Sequence, residues 1–207
     1  MIKANKYSLA LHTTSPELGL SLSNFAGDTR TGVWNLGRDL STHLHQYLTE
    51  FIKPQSWSNL EFIAVAKGPG SFTGTRIGVV TARVISQQFE LPLFPISSLE
   101  AICWKKKQKE KTIAVQMDAR REQIFGAIYR VVPANFGLKA ELPDTTMDSK
   151  QWEETLANLK SNYHLINAPT NLGSTVNSIL ELAYLNWQEG KRPHCSEALP
   201  FYGQHPV

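Results

Sequence analysis

Few side chains in this sequence stand at spacings that could do chemistry. The six histidines are His12, His43, His45, His164, His194 and His205. His43 and His45 fall two apart in a helical pattern and point to different faces, whereas a helical metal pair needs a spacing of three or four. Cys103 and Cys195 match no metal spacing and read as free thiols of a reducing compartment. Ser71 and Thr73 could serve as nucleophiles, but no base stands at a recognisable spacing and Gly-x-Ser-x-Gly is not formed. Turn hydrogen bonds and helix capping are the simpler employment for both hydroxyls. Asp118, Arg120 and Glu122 crowd a hairpin tip, where charges are commonly only solvated. Trp34, Trp57, Trp104, Trp152 and Trp187 are scattered and suggest no base-stacking platform. No residue is assigned a catalytic, cofactor-binding or metal-binding role.

The most informative stretch is a backbone device. Gly68-Pro69-Gly70-Ser71-Phe72-Thr73-Gly74, continuing through Arg76 to Gly78, follows the apolar run Phe62-Ile63-Ala64-Val65 and opens a helical pattern over Thr75–Phe89. Strand, glycine turn and helix in that order suit an anion at the helix N-terminus. The turn is neither a P-loop, lacking the Lys-Ser/Thr pair, nor a dinucleotide fingerprint, whose glycines are spaced differently. Gly74 and Gly78, four apart, permit another part of the chain to come close to the helix.

The elements that must hold this turn read as follows. Strands are expected at Tyr7–Thr13, Gly19–Ser23 and Gly32–Leu36, the latter two joined by a hairpin. A helix capped by Asp39 or Ser41 runs to about Ile52, with Leu40, Leu44, Tyr47, Leu48 and Phe51 in one stripe, and Pro54 ends it. The helix after the turn has two apolar faces, Ile77, Val80, Val84 and Ile85 on one and Val79, Ala82 and Phe89 on another, which predicts burial on two sides. A strand at Leu91–Ile96 leads to a helix opened by Ser97 and Glu100 in capping-box spacing. The run Lys105–Lys111 reads as a solvated connector between lobes at 1–104 and 105–207. Beyond it come strands at Thr112–Met117 and Gln123–Val132, a loop-rich stretch from Pro133 to Ser149 with at most one short strand, and a helix with Trp152, Leu156 and Leu159. A strand at His164–Asn167 and a helix ending at Gly190 follow. No repeat of solenoid period is evident. Strands followed by helices in each half make the class α/β.

The chain has 207 residues, 42% of them apolar and 19% charged, with a formal net charge of +3. This is the composition of a globular protein with ample core, and the mild basicity permits nucleic-acid contact without arguing for it. No run approaches a membrane span and the first residues lack a signal-peptide pattern, so a cytoplasmic protein is expected.

The wording Gly-Pro-Gly-Ser-Phe-Thr-Gly-x-Arg-Ile-Gly resembles the signature of the TsaB (YeaZ) family, partner subunits of the bacterial machinery that makes threonylcarbamoyladenosine in tRNA. Leu9-Ala10-Leu11-His12-Thr13-Thr14-Ser15, Ile96-Ser97-Ser98-Leu99-Glu100-Ala101 and Met117-Asp118-Ala119-Arg120 extend the likeness over about residues 7 to 130. Near the end only Ala198-Leu199-Pro200-Phe201-Tyr202 resembles the family. The resemblance implies a two-lobed actin/Hsp70/sugar-kinase-like (ASKHA) fold in reduced form. It implies a non-catalytic subunit that binds the catalytic subunit TsaD, with the ATPase TsaE joining the assembled pair and tRNA reached only through the complex. It also implies an interface on the first two helices, for which Leu44, Leu48, Val80 and Val84 are the candidates, and a homodimer through the same surface in isolation. No cofactor is expected in the isolated chain.

Three positions depart from relatives. His12 stands where the family usually has Asp. Ser98 and Ile102 stand where TsaD carries its metal-binding histidines, and neither side chain replaces them. An ATP-dependent enzyme of the same fold and an RNA-binding module using the lysine run are the alternatives.

Overall fold

A computed structural model describes residues 6–106, 112–132 and 137–203. Its first sheet contains β1 (Tyr7–His12), β2 (Glu17–Ser23), β3 (Thr29–Asn35), β4 (Leu60–Ala66) and β5 (Leu93–Ile96), in the order β3-β2-β1-β4-β5. β1 pairs antiparallel with β2 and parallel with β4. Alternation along β1 sorts the core. Leu9 and Leu11, opposite Leu22 and Leu20, face α1 (Leu40–Phe51) and α2 (Phe72–Gln88), together with Ile63 and Val65. Ala10, Phe62, Ala64 and Ala66 point the other way, into a second cluster completed by α5 (Val176–Gln188) through Val176, Ile179, Leu180 and Ala183.

The second sheet contains β6 (Thr112–Asp118), β7 (Gln123–Val132), β8 (Gly137–Asp148) and β9 (His164–Asn167), in the order β8-β7-β6-β9. Again the first strand pairs antiparallel with the next and parallel with a later one. The two sheets thus share one topology, shorter by a strand in the second, although no repeat is visible in the sequence. α4 (Ser149–Ala157) covers this sheet with Trp152, whose ring lies against Gly126. α3 (Ser98–Lys106) stands between the sheets, touching α5 on one side and β6 and β7 on the other.

Three expectations are corrected. From Gly137 the loop-rich stretch forms the twelve-residue strand β8, in place of at most one short strand. α5 falls in the half assigned to the second lobe, yet it packs on β1, β2, β4 and β5, so the division at about residue 105 does not describe the packing. Asp39 does not cap α1 with its side chain; a 3₁₀ turn at Gly37–Asp39 feeds that helix. Of the lysine run, Lys107–Lys111 lie outside the described residues, while Lys105 Nζ donates to Ser174 O at 3.1 Å and contacts Ser174 Oγ at 2.9 Å. No helix among the described residues is long and apolar enough to cross a membrane.

Candidate functional site

The carboxyl ends of β1, β4 and β5 meet at the glycine turn, the place where open α/β sheets commonly take ligands. Here the polar groups are largely occupied by one another. Ser71 N donates to Thr14 O at 2.7 Å, and Thr13 Oγ1 donates to Gly74 O at 2.8 Å. A Cβ on Gly74 or Gly78 would collide with Thr13, the close approach expected from those two glycines. Ser71 Oγ accepts from Gly74 N at 3.3 Å and Thr75 N donates to Ser71 O. Ser71 therefore caps the helix, which starts at Phe72, three residues earlier than expected. Thr73 is exposed on its first turn.

Across the turn, Phe201 N donates to Lys67 O at 2.7 Å, and the Phe201 carbonyl approaches Gly68 so closely that no Cβ fits there. Gly68 also has φ +100°, open only to glycine at low cost. Phe201 packs with Phe125 of β7, the Tyr202 and Phe72 rings meet in a tilted contact at 4.3 Å, and a Cβ on Gly203 would meet Thr146 and Phe125. The segment 199–203 is thus a cross-brace linking the glycine turn, α2 and the second sheet.

His12 ends β1 fully buried, with Nε2 lacking a hydrogen-bond partner and Thr14 N donating to Nδ1 at 3.5 Å. Burial pushes its pKa down to about 3, so the ring is neutral. Ser98 Oγ lies 3.0 Å from Thr14 Oγ1 and Ser98 N donates to Gly68 O, while Ile102 sits in the core with Leu99 and Val115. These residues do not fit the His-x-x-x-His metal site that the resemblance associates with catalytic relatives.

A polar cluster escaped the reading of the sequence. At the start of α3, Ser97 Oγ accepts from the backbone N–H of Leu99 and Glu100 and donates to Asp144 Oδ1 at 2.7 Å. Tyr129 OH donates to the same oxygen at 3.1 Å, and Asp144 Oδ2 is buried without a partner. Burial, with Asp144 nearby, raises the Glu100 carboxyl to about 7 against the pull of Lys67 and Lys191. Burial likewise raises Asp144. Glu100 reads from sequence as a capping partner and Asp144 as part of a loop; only the fold brings β7, β8 and α3 together.

The candidate interface residues divide. Leu44 and Leu48 are 0% and 2% exposed and pack on the chain's own sheet, so they are corrected from surface to core. Val80 and Val84 are 52% and 60% exposed. Beside them, His45, Leu48, Thr49, Trp57, Ile85 and Phe89 line a groove of about 270 Å³ between α1 and α2.

The family model described as "TsaD: tRNA N6-adenosine threonylcarbamoyltransferase" matches residues 38–146. The chain is 36% identical over 98 residues to the tRNA threonylcarbamoyladenosine biosynthesis protein TsaB of Bacillus subtilis (strain 168), covering 47% of this chain and 42% of that protein. It is 25% identical over 136 residues to the TsaB of Buchnera aphidicola subsp. Acyrthosiphon pisum (strain APS), covering 64% of this chain and 61% of that one. The matches therefore span less than two thirds of those relatives' length. YeaZ from Pseudomonas aeruginosa superposes with a TM-score of 0.77 at 18% identity, over 95% of this chain and 100% of that one. The chain thus has the fold of YeaZ, an α/β arrangement of two mixed sheets with helices. The extent of the model match, together with the named relatives, places the chain in the TsaB (YeaZ) family of tRNA threonylcarbamoyladenosine biosynthesis proteins.

Proposed function

We propose that this protein is a partner subunit without chemistry of its own in the synthesis of threonylcarbamoyladenosine on tRNA, and that it binds and supports a TsaD catalytic subunit. The observation that carries this reading is the fate of the metal-ligand positions: Ser98 holds Thr14 and Ile102 fills the core. His12 supports it, since a buried neutral imidazole cannot stand in for a carboxylate on Mg²⁺, which prefers oxygen ligands. The intramolecular bonds of the glycine turn add that the backbone around Ser71 holds Thr14 rather than a phosphate. In this reading the isolated chain carries no cofactor, TsaE joins only the assembled pair, and tRNA is reached through the complex.

The test is reconstitution of tRNA modification from purified subunits with each one left out, beside metal analysis of this chain alone. Modification should require the chain, and the chain should modify nothing by itself. Modification at full rate in its absence, or stoichiometric iron or zinc lost on replacing Ser98, overturns the reading.

A further inference from the structure

A cavity of about 430 Å³ lies along β5, the strand that ends the first sheet. Its walls come from β5, the end of α5 and the segment that follows, and none from α1 or α2. That volume is ordinary for a small-molecule site. Phe94, Pro95 and Ile96 give the cavity an apolar wall. The strand edge beside it is largely spent. Ile63 N and Lys67 N donate to Pro92 O and Ile96 O, so in this parallel pair Leu93 and Pro95 turn their backbone groups away from β4. Leu93 N donates to Pro193 O at 3.1 Å, and Pro95 has no N–H. The edge is thereby blunted against a further strand and presents the Pro95 carbonyl as an acceptor.

Two cations line the cavity, and they differ. Lys191 Nζ is engaged, 2.9 Å from Glu189 Oε2 and donating to Asn186 Oδ1 at 2.6 Å. Arg192 is exposed, yet its guanidinium is pinned. Nη1 donates to Trp187 O at 2.9 Å and to Lys191 O at 2.6 Å, and the group rests over the Trp187 ring at 4.3 Å. Both Nη1 protons are used. What remains is the opposite edge, where Nε–H and Nη2–H point the same way, the fork that takes a carboxylate through two parallel hydrogen bonds. Among the described residues no carboxylate lies within ion-pair distance of Arg192. Glu197, on the same cavity, is held by His194 N donating to Oε1 at 2.6 Å, which leaves Oε2 without a partner among the described residues.

We propose that this cavity binds a free α-amino acid with an apolar side chain. Its carboxylate meets the Nε–Nη2 edge of Arg192, its ammonium meets Glu197 Oε2 and the Pro95 carbonyl, and its side chain lies on Phe94 and Ile96. The unpaired groups select this class. A plain anion would put negative charge beside Glu197, and the carboxyl end of a peptide would bring it no positive charge. A guanidinium already fixed by two backbone carbonyls and a ring loses little freedom on binding.

The test is titration of L-leucine, L-valine and L-phenylalanine into the isotopically labelled full chain, followed by amide shifts, beside the N-acetyl form and the decarboxylated amine of whichever binds. The expected result is saturable shifts centred on residues 93–96 and 186–197 for at least one of the three. Loss of either charge from the ligand should weaken binding by about 10-fold or more. Arg192→Lys keeps the charge without the fork and should also weaken it by about 10-fold or more. Melting of that variant is compared with the parent, and the shift map on the parent stands whether or not the variant folds. No saturation by any of the three below about 10 mM, a free energy near 3 kcal/mol, overturns the proposal. So do shifts centred elsewhere, equal binding of the N-acetyl form, or a folded Arg192→Lys that binds as the parent does.

Discussion

Glu100 shows how one buried carboxyl sets a condition on the whole fold. Its pKa rises from 4.5 to about 7, because burial and Asp144 outweigh Lys67 and Lys191. The folded chain therefore binds this proton more tightly than the unfolded chain. The stability linked to it is complete below 4.5 and is lost as pH rises through 7. Partial screening leaves an effect of about 1–3 kcal/mol. Between about pH 6.5 and 8, above the range in which the buried neutral His12 contributes the opposite slope, thermal melts should show stability falling as pH rises, and Glu100→Gln should flatten that slope; an unchanged slope refutes the assignment. Gly74 sets a steric condition of the same order. Gly74→Val drives a branched side chain into the Thr13 carbonyl, and the melt should drop by ~1–3 kcal/mol of stability. A parental melt would mean the turn is not a packing device.

At the scale of elements, α1 and α2 demonstrate that a periodic apolar stripe reveals a helix before it reveals what the stripe faces. Leu48→Glu places a charge in the core cluster that also holds Leu9 and Leu20 and should unfold the chain, at a cost of several kcal/mol. Val84→Glu, at 60% exposure, should melt as the parent does. Both helices, their ends within a few residues, and the turn between β4 and α2 were legible because period and glycine spacing are local signals. Which of the two faces of α2 meets the sheet, that of Val79 and Ala82 or that of Val80 and Val84, was not, since apolar residues populate both sides. β8 was illegible for another reason. It pairs with β7 alone at the sheet edge, carries Pro143, and is exposed over much of its length, so alternation is weak and proline argues against a strand. Missing β8 hid Asp144, and with it the cluster around Ser97 and Tyr129, which depends on contacts between segments far apart in sequence.

At the scale of the molecule, the lobes are less separable than the lysine run suggests. The fragment 1–104 contains all five strands of the first sheet but lacks α5, Cys195 and Ala198, leaving Ala10, Phe62 and Ala64 uncovered on one face and the other cluster incomplete. Expressed alone, it should show no cooperative melt and poor amide dispersion; a well-folded fragment would restore the boundary near residue 105. The position of α5 also has a consequence in time. A chain is made from its first residue onward, and domains usually fold in that order. Here the sheet made earlier cannot close until α5, made after the strands of the second sheet, has emerged, and the cross-brace at 199–203 follows later still. During synthesis, then, the nascent chain carries a bare apolar sheet face, a natural target for chaperones that shield such surfaces, and a ribosome stalled before residue 176 would release a product with no route to the native state.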